Sequence, residues 1–175
     1  MMLRILSIAT ALLLLARLDP AQAAPASVQQ NLPQPVADWL KQAKDDCPAG
    51  FQAQNAIESV SLTGDGRPGF IANPHRLSCA GEPHLYGGDG PASIELFVTL
   101  PSGAVVHTGG VLALGYRIED APGGGAPIVA FTTHESSERA GSIDDYRWDG
   151  RNFALLNRQS MAQPPVGGPD SEYER

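Results

Sequence analysis

From about residue 50 onward the apolar residues fall in short runs separated by Gly, Pro and Asp. Residues 93–100 show the pattern most clearly: Ile94, Leu96, Val98 and Leu100 alternate with Glu95, Phe97 and Thr99, a period of two that predicts a half-buried strand. Further strands are predicted over 56–62, 69–72, 104–108, 111–119, 128–134, 143–148 and 153–158. Pro101-Ser102-Gly103 and Asp149-Gly150 each sit between two such runs, and Asp-Gly supplies the positive φ angles of a tight hairpin. Upstream the period changes. Val36, Trp39, Leu40 and Ala43 recur at the i, i+3, i+4, i+7 spacing of one buried helical face, while Asp38, Lys41 and Lys44 lie off it. Pro35 suits a first helical turn because its missing N–H costs nothing there, so one short amphipathic helix is expected over 35–44.

Together these elements predict a mainly β domain over 35–160, an antiparallel meander or a small barrel or propeller-like sheet with one short N-terminal helix. Two connections are longer than hairpin turns: 73–91, which contains Cys79, and 120–127, which contains Gly123, Gly124 and Gly125.

The first residues add a compartment. Arg4, the apolar run from Ile5 to Leu15 and the small residues Ala21 and Ala23 are the three parts of a cleavable secretory signal peptide over 1–23. Arg17, Asp19 and Pro20 break the run before it reaches the roughly 20 apolar residues of a spanning helix. The expected product is periplasmic or extracellular, cleaved near Ala23 and not stably inserted in a membrane. Residues 24–34 read as a flexible Ala/Pro/Gln leader and 161–175 as a disordered tail. Cys47 and Cys79 are the only cysteines, and in an oxidising compartment they are expected to form one disulfide.

The chain carries 12 basic and 19 acidic residues; without Arg4, Arg17 and Asp19 the exported part holds 10 and 18, a formal charge of −8. That balance disfavours nucleic acid, whose phosphates must be met by Lys and Arg, and suits a basic protein partner.

The sharpest local string is Ser61-Leu62-Thr63-Gly64-Asp65-Gly66-Arg67-Pro68-Gly69. It resembles the Asp-x-Asn-x-Asp-Gly-x-x-Asp hairpin loop of short exported bacterial FG-GAP or VCBS-like β proteins. The resemblance spans residues 56–72, with Tyr146 to Phe153 similar to the aromatic hairpin that closes such domains. It implies a strand, a calcium-type loop and a second strand, with oxygen ligands at positions occupied here by Ser61, Thr63, Asp65 and Gly69. Only one of these is a carboxylate, too few for a hard cation that takes six to eight oxygens, so the loop is expected to keep its shape and to have lost most of its metal affinity.

His75, Cys79 and His84 match no compact zinc spacing, and a cysteine in a disulfide cannot coordinate. No cofactor motif is present. There is no G-x-S-x-G string, and the carboxylate pairs Asp144-Asp145 and Glu135 with Glu138 lie in polar, turn-like surroundings. The stretch from His84 to Gly90 sets Leu85 and Tyr86 beside a glycine-rich tip bearing Asp89, the make-up either of a recognition loop or of a long connection that the nearby disulfide restrains. The expectation is a non-enzymatic exported binding protein of the cell envelope, in its most concrete form an inhibitor or immunity protein against an envelope-degrading enzyme. The alternatives are a structural or accessory periplasmic protein with a vestigial calcium-loop hairpin, and a hydrolase whose site the sequence does not reveal.

Overall fold

The structure, a computed structural model, describes residues 31–133 and 141–161. The signal peptide, most of the leader, Glu135, Glu138 and the tail beyond Met161 lie outside the described residues. Helix α1 spans Gln34–Asp46. Ten strands follow: β1 (Gln52–Ala53), β2 (Ile57–Val60), β3 (Gly69–Ala72), β4 (Leu77–Ser78), β5 (Ala92–Thr99), β6 (Val105–Ala113), β7 (Gly115–Glu119), β8 (Ile128–Thr133), β9 (Ser142–Trp148) and β10 (Phe153–Ser160). Among the described residues the fold is mainly β, with antiparallel sheets, one α-helix and the Cys47–Cys79 disulfide.

Two four-stranded sheets carry the chain, in the orders β2-β3-β5-β6 and β10-β9-β8-β7, and β1 pairs with β4 in a small separate ladder. Each large sheet is a meander. The sheets do not close into a barrel: β6 and β7 are consecutive yet belong to different sheets, separated by Leu114, whose N–H already bonds Thr132 on β8. Their inner faces share one core. Ile71, Ile94, Leu96 and Val98 from the first sheet, with Leu62 from the loop after β2, meet Tyr116, Val129 and Phe131 from the second.

The period-two alternation of β5 is why one sheet serves two layers. Ile94, Leu96 and Val98 point to the inter-sheet core, while Phe97 points the other way and packs with Phe70, Ala72 and Val36 beneath α1. The predicted helical stripe packs on this outer face, with Val36 and Ala43 buried and Trp39 and Leu40 half-buried, and Asp38, Lys41 and Lys44 are exposed. At the far end of α1, Ala43 joins Ala56 and Leu77 in a third cluster, with Leu40, Phe51 and Tyr86 packed around it.

One predicted break is absent. Residues 104–108 and 111–119 read as separate strands because Gly109-Gly110 interrupts them, but β6 runs through that dipeptide to Ala113 and the break falls at Leu114, with Gly115–Glu119 forming β7 of the other sheet. The register shifts by one residue between the pairs Leu96↔Gly109 and Phe97↔His107, leaving Thr108 as the extra residue of a bulge. The bulge resets the alternation, so Val106 and Val111, five positions apart, both pack on the inter-sheet core. Gly109 takes the positive φ of +111° that the bulge requires. The predicted turns are present: Gly103 at φ +85° closes β5 to β6, and Asp149 accepts at Oδ1 from the N–H groups of Arg151 and Asn152, both at 2.8 Å, between β9 and β10.

Candidate functional site

The long connection from β3 to β5 carries local structure of its own. Pro74–Arg76 forms a 3-10 turn capped by Asn73, whose side chain accepts from the His75 N–H at 3.0 Å, and β4 then pairs with β1. The disulfide, with Cα atoms 5.7 Å apart, ties this ladder to the end of α1. Beyond Cys79 the chain winds through successive tight turns, with Leu85 N–H to Glu82 O at 3.2 Å, Gly87 N–H to His84 O at 3.2 Å and Gly90 N–H to Gly87 O at 2.8 Å. Gly87 is required by space as well as by its φ of +107°: a Cβ there would stand 2.8 Å from that of Ala92.

Tyr86 fastens the loop to the helix. Its hydroxyl donates to the Ala43 carbonyl at 2.5 Å, one of the carbonyls left unpaired at a helix C-terminus, and its ring meets Phe51 edge-on at 6.1 Å. Burial first, and then the Asp46 charge, pushes the phenol above its ordinary pKa, which keeps it a donor.

Between α1, this loop and β5 lies a cleft of about 410 Å³, whose walls include Trp39, Leu77, Leu85 and Tyr86 and whose polar groups include Asp46 and Glu95. Leu85 stands at its mouth, 41% exposed. Asp46 accepts from Gln42 Nε2 at 2.9 Å. Glu95 is held lower, its side chain 15% exposed, accepting from His107 Nε2 at 2.6 Å. Gly110 is its cross-strand partner, and the carboxylate lies in the space a side chain there would fill.

The calcium-type loop has a different architecture from an ion cradle. Asp65 Oδ1 accepts from Thr63 Oγ1 at 2.7 Å and from the Arg67 N–H at 3.1 Å, and its other oxygen pairs with the Arg67 guanidinium. Ser61 Oγ accepts from the Gly66 N–H at 3.2 Å. The bonds from the Thr63 hydroxyl and the Arg67 N–H, with the Arg67 charge, hold the Asp65 carboxyl below the usual carboxylate range. The ligand atoms are thus spent on the loop itself, with an arginine as the local cation. The loop also abuts the glycine connection 120–127, since a Cβ on Gly64 would overlap the backbone of Gly125 and Ala126.

Of the predicted site residues, Leu85 and Tyr86 line the cleft, whereas exposed Asp89 lies outside its walls. Ser61, Thr63 and Asp65 sit in the separate loop just described. His75 donates from Nε2 to the Ala113 carbonyl at 3.0 Å. Among the described residues no three His, Cys, Asp or Glu side chains stand close enough to hold a metal ion. Asp144, predicted to be solvated, is buried, and accepts from Ser142 and Arg158.

Glu95, like Asp46, is a cleft residue that sequence reasoning missed. It occupies a polar position of an alternating strand and reads as solvent-facing, and only the placement of α1 and the 79–91 loop over that face makes it part of a cleft. Scans against protein-family profiles, curated proteins and solved structures each found no match. Among the described residues no helix is long and apolar enough to cross a membrane.

Proposed function

We propose that this chain is an exported, non-catalytic binding protein of the cell envelope that engages a basic protein partner through the cleft between α1 and the 79–91 connection. The observation that carries the reading is Leu85, an exposed apolar side chain on a loop pinned at two points, by the disulfide and by the Tyr86–Ala43 bond. A loop held in this way loses little entropy on docking, and an apolar residue beside aromatic walls is the make-up of an interface anchor. The signal-like N-terminus and the acidic balance fit a cationic envelope enzyme as the partner, with the chain acting as its inhibitor or immunity protein.

A second reading has its own support. The internally satisfied Asp65 loop, packed on the glycine connection, favours a purely architectural role for the hairpin that resembles FG-GAP and VCBS-like proteins.

A turbidity assay of peptidoglycan digestion by the basic hydrolases of the source envelope tests the first reading. Near-stoichiometric inhibition is expected. Full activity at about tenfold excess of the chain over each enzyme, with no complex on a sizing column, contradicts the inhibitor form.

A further inference from the structure

We infer that the cleft takes a single lysine or arginine side chain, carried on an apolar extended segment of the protein partner; the inference rests on reading the cleft as the binding surface. Three features converge on it. The walls contributed by Trp39, Tyr86, Leu77 and Leu85 suit an alkyl stem, and the faces of Trp and Tyr attract a cation. Asp46 on the helix and Glu95 on the sheet, the latter also bonded to His107, place carboxylates on the cleft from two different elements, and no Lys or Arg is among the residues that line it. Asp46 is also the last residue of α1, where the negative end of the helix dipole adds to the same field.

The sign of charge is not uniform over the surface. On the other flank of α1 a second cleft of about 440 Å³ is lined by Leu32, Leu40 and Phe51 with Lys41 and Lys44. One helix therefore separates an apolar cleft with carboxylates from an apolar cleft with ammonium groups. Of these two clefts only the first has carboxylates among its lining residues. Its volume, at the small end of the roughly 300–1,000 Å³ of ligand pockets, matches one long side chain and its immediate neighbours.

The test uses the full chain with Trp148→Phe, so that Trp39 is the remaining tryptophan and reports the cleft by its emission. The probes are three capped tripeptides, acetyl-Leu-X-Leu-amide, with X arginine, its neutral isostere citrulline, or glutamate. The arginine peptide is expected to give a saturable change in Trp39 emission and to bind at least about tenfold tighter than the citrulline peptide, with the glutamate peptide weakest. In Asp46→Asn with Glu95→Gln the arginine-to-citrulline ratio should fall to near one. Calorimetric titration of the unsubstituted chain gives the same ratio if Trp148→Phe does not fold. Equal binding of arginine and citrulline peptides, no saturable response up to about 10 mM, or a ratio that survives loss of both carboxylates overturns the inference. A photo-crosslinker at residue 85 separates the two failures: an adduct formed there despite a failed peptide test leaves the cleft as an interface with a different occupant, and no adduct removes the cleft itself.

Discussion

Asp144 and Arg158 are cross-strand partners on β9 and β10, and the exposed arginine reaches inward to give the buried carboxylate two hydrogen bonds, of 2.9 and 2.6 Å. A bulge makes this pair. The register of β10 shifts between Leu155 and Asn157, so Leu156 is the extra residue, and Arg158 rather than Asn157 falls on the face of Phe153, Leu155 and Asp144. Asp144 is 2% exposed, and Ser142 Oγ adds a third bond at 2.7 Å. Burial pushes this carboxyl up, but the bonds from Arg158 and Ser142 and the Arg158 charge outweigh it and hold the pKa below the ordinary value.

Arg158→Ala should therefore cost about 1–3 kcal/mol at neutral pH, the range for a buried acceptor stripped of its charged partner. Because the folded pKa is depressed, the unfolded chain takes up the proton first as pH falls. The pair's contribution is complete above the ordinary carboxylate range near pH 4 and is lost as pH drops through the folded value. Urea unfolding at pH 7 and at about pH 2.5 should show the deficit of Arg158→Ala shrinking at the lower pH. A deficit that does not change with pH would assign it to lost packing.

Gly64→Ala should destabilise the domain by at least about 2 kcal/mol, since its φ is +74° and its Cβ would overlap the backbone of Gly125 and Ala126. Gly66→Ala, at φ +80° with nothing within 4 Å of the added Cβ, should cost only about 1 kcal/mol of backbone strain. Chemical denaturation of the two variants isolates the close approach of the loop to the glycine connection. Equal losses would mean that the approach contributes nothing.

Calcium should leave the thermal midpoint within about 1 °C between a millimolar excess and chelator, because Asp65 is engaged by Thr63 and Arg67. Arg67→Ala removes the built-in cation and is the variant most apt to gain a calcium response. A large calcium shift in the parent chain, abolished by Asp65→Ala, would show the loop to be a metal site after all.

Replacing both Cys47 and Cys79 by Ser should lower stability by roughly 3–4 kcal/mol in the chain-entropy model, given their separation of 32 residues. The loss should appear in denaturant midpoints, and amide exchange should rise first in residues 79–90, which the bond anchors beside α1. Unchanged exchange there would show that Tyr86 alone fixes the loop.

Much of the fold is legible in the sequence because its signals are local. The strand alternation around Ile94, the helical stripe from Val36 to Ala43 and the glycines of the turns each state their own conformation. The bulges at Thr108 and Leu156 are not legible, since a one-residue shift of register is fixed by what the opposite strand buries. The candidate site divides the same way. Leu85 and Tyr86 stand out as apolar residues in a polar stretch, but Glu95 and Asp46 become neighbours of that loop only through the packing of α1, and Asp144 reads as solvated until Arg158 is brought across from β10.

Tyr86 illustrates why a binding test must avoid fold damage. Its truncation to Ala removes the Ala43 bond and the Phe51 contact and should cost about 2–4 kcal/mol of stability, whereas Tyr86→Phe should cost about 1 kcal/mol. Thermal unfolding of both variants checks this order. Similar, negligible losses would mean that Tyr86 is not a fastener and is free to act as a recognition residue.

The most direct measurement places a photo-reactive phenylalanine at position 85 in the full chain, expressed in an exporting bacterium, with the same group at position 155 as control. Both leucines are exposed, at 41% and 47%, but Leu155 lies on β10 in the other sheet. A cleft that binds a basic protein partner gives one discrete adduct with a net basic protein from position 85 and none from position 155. No adduct from position 85, or the same adducts from both positions, contradicts it.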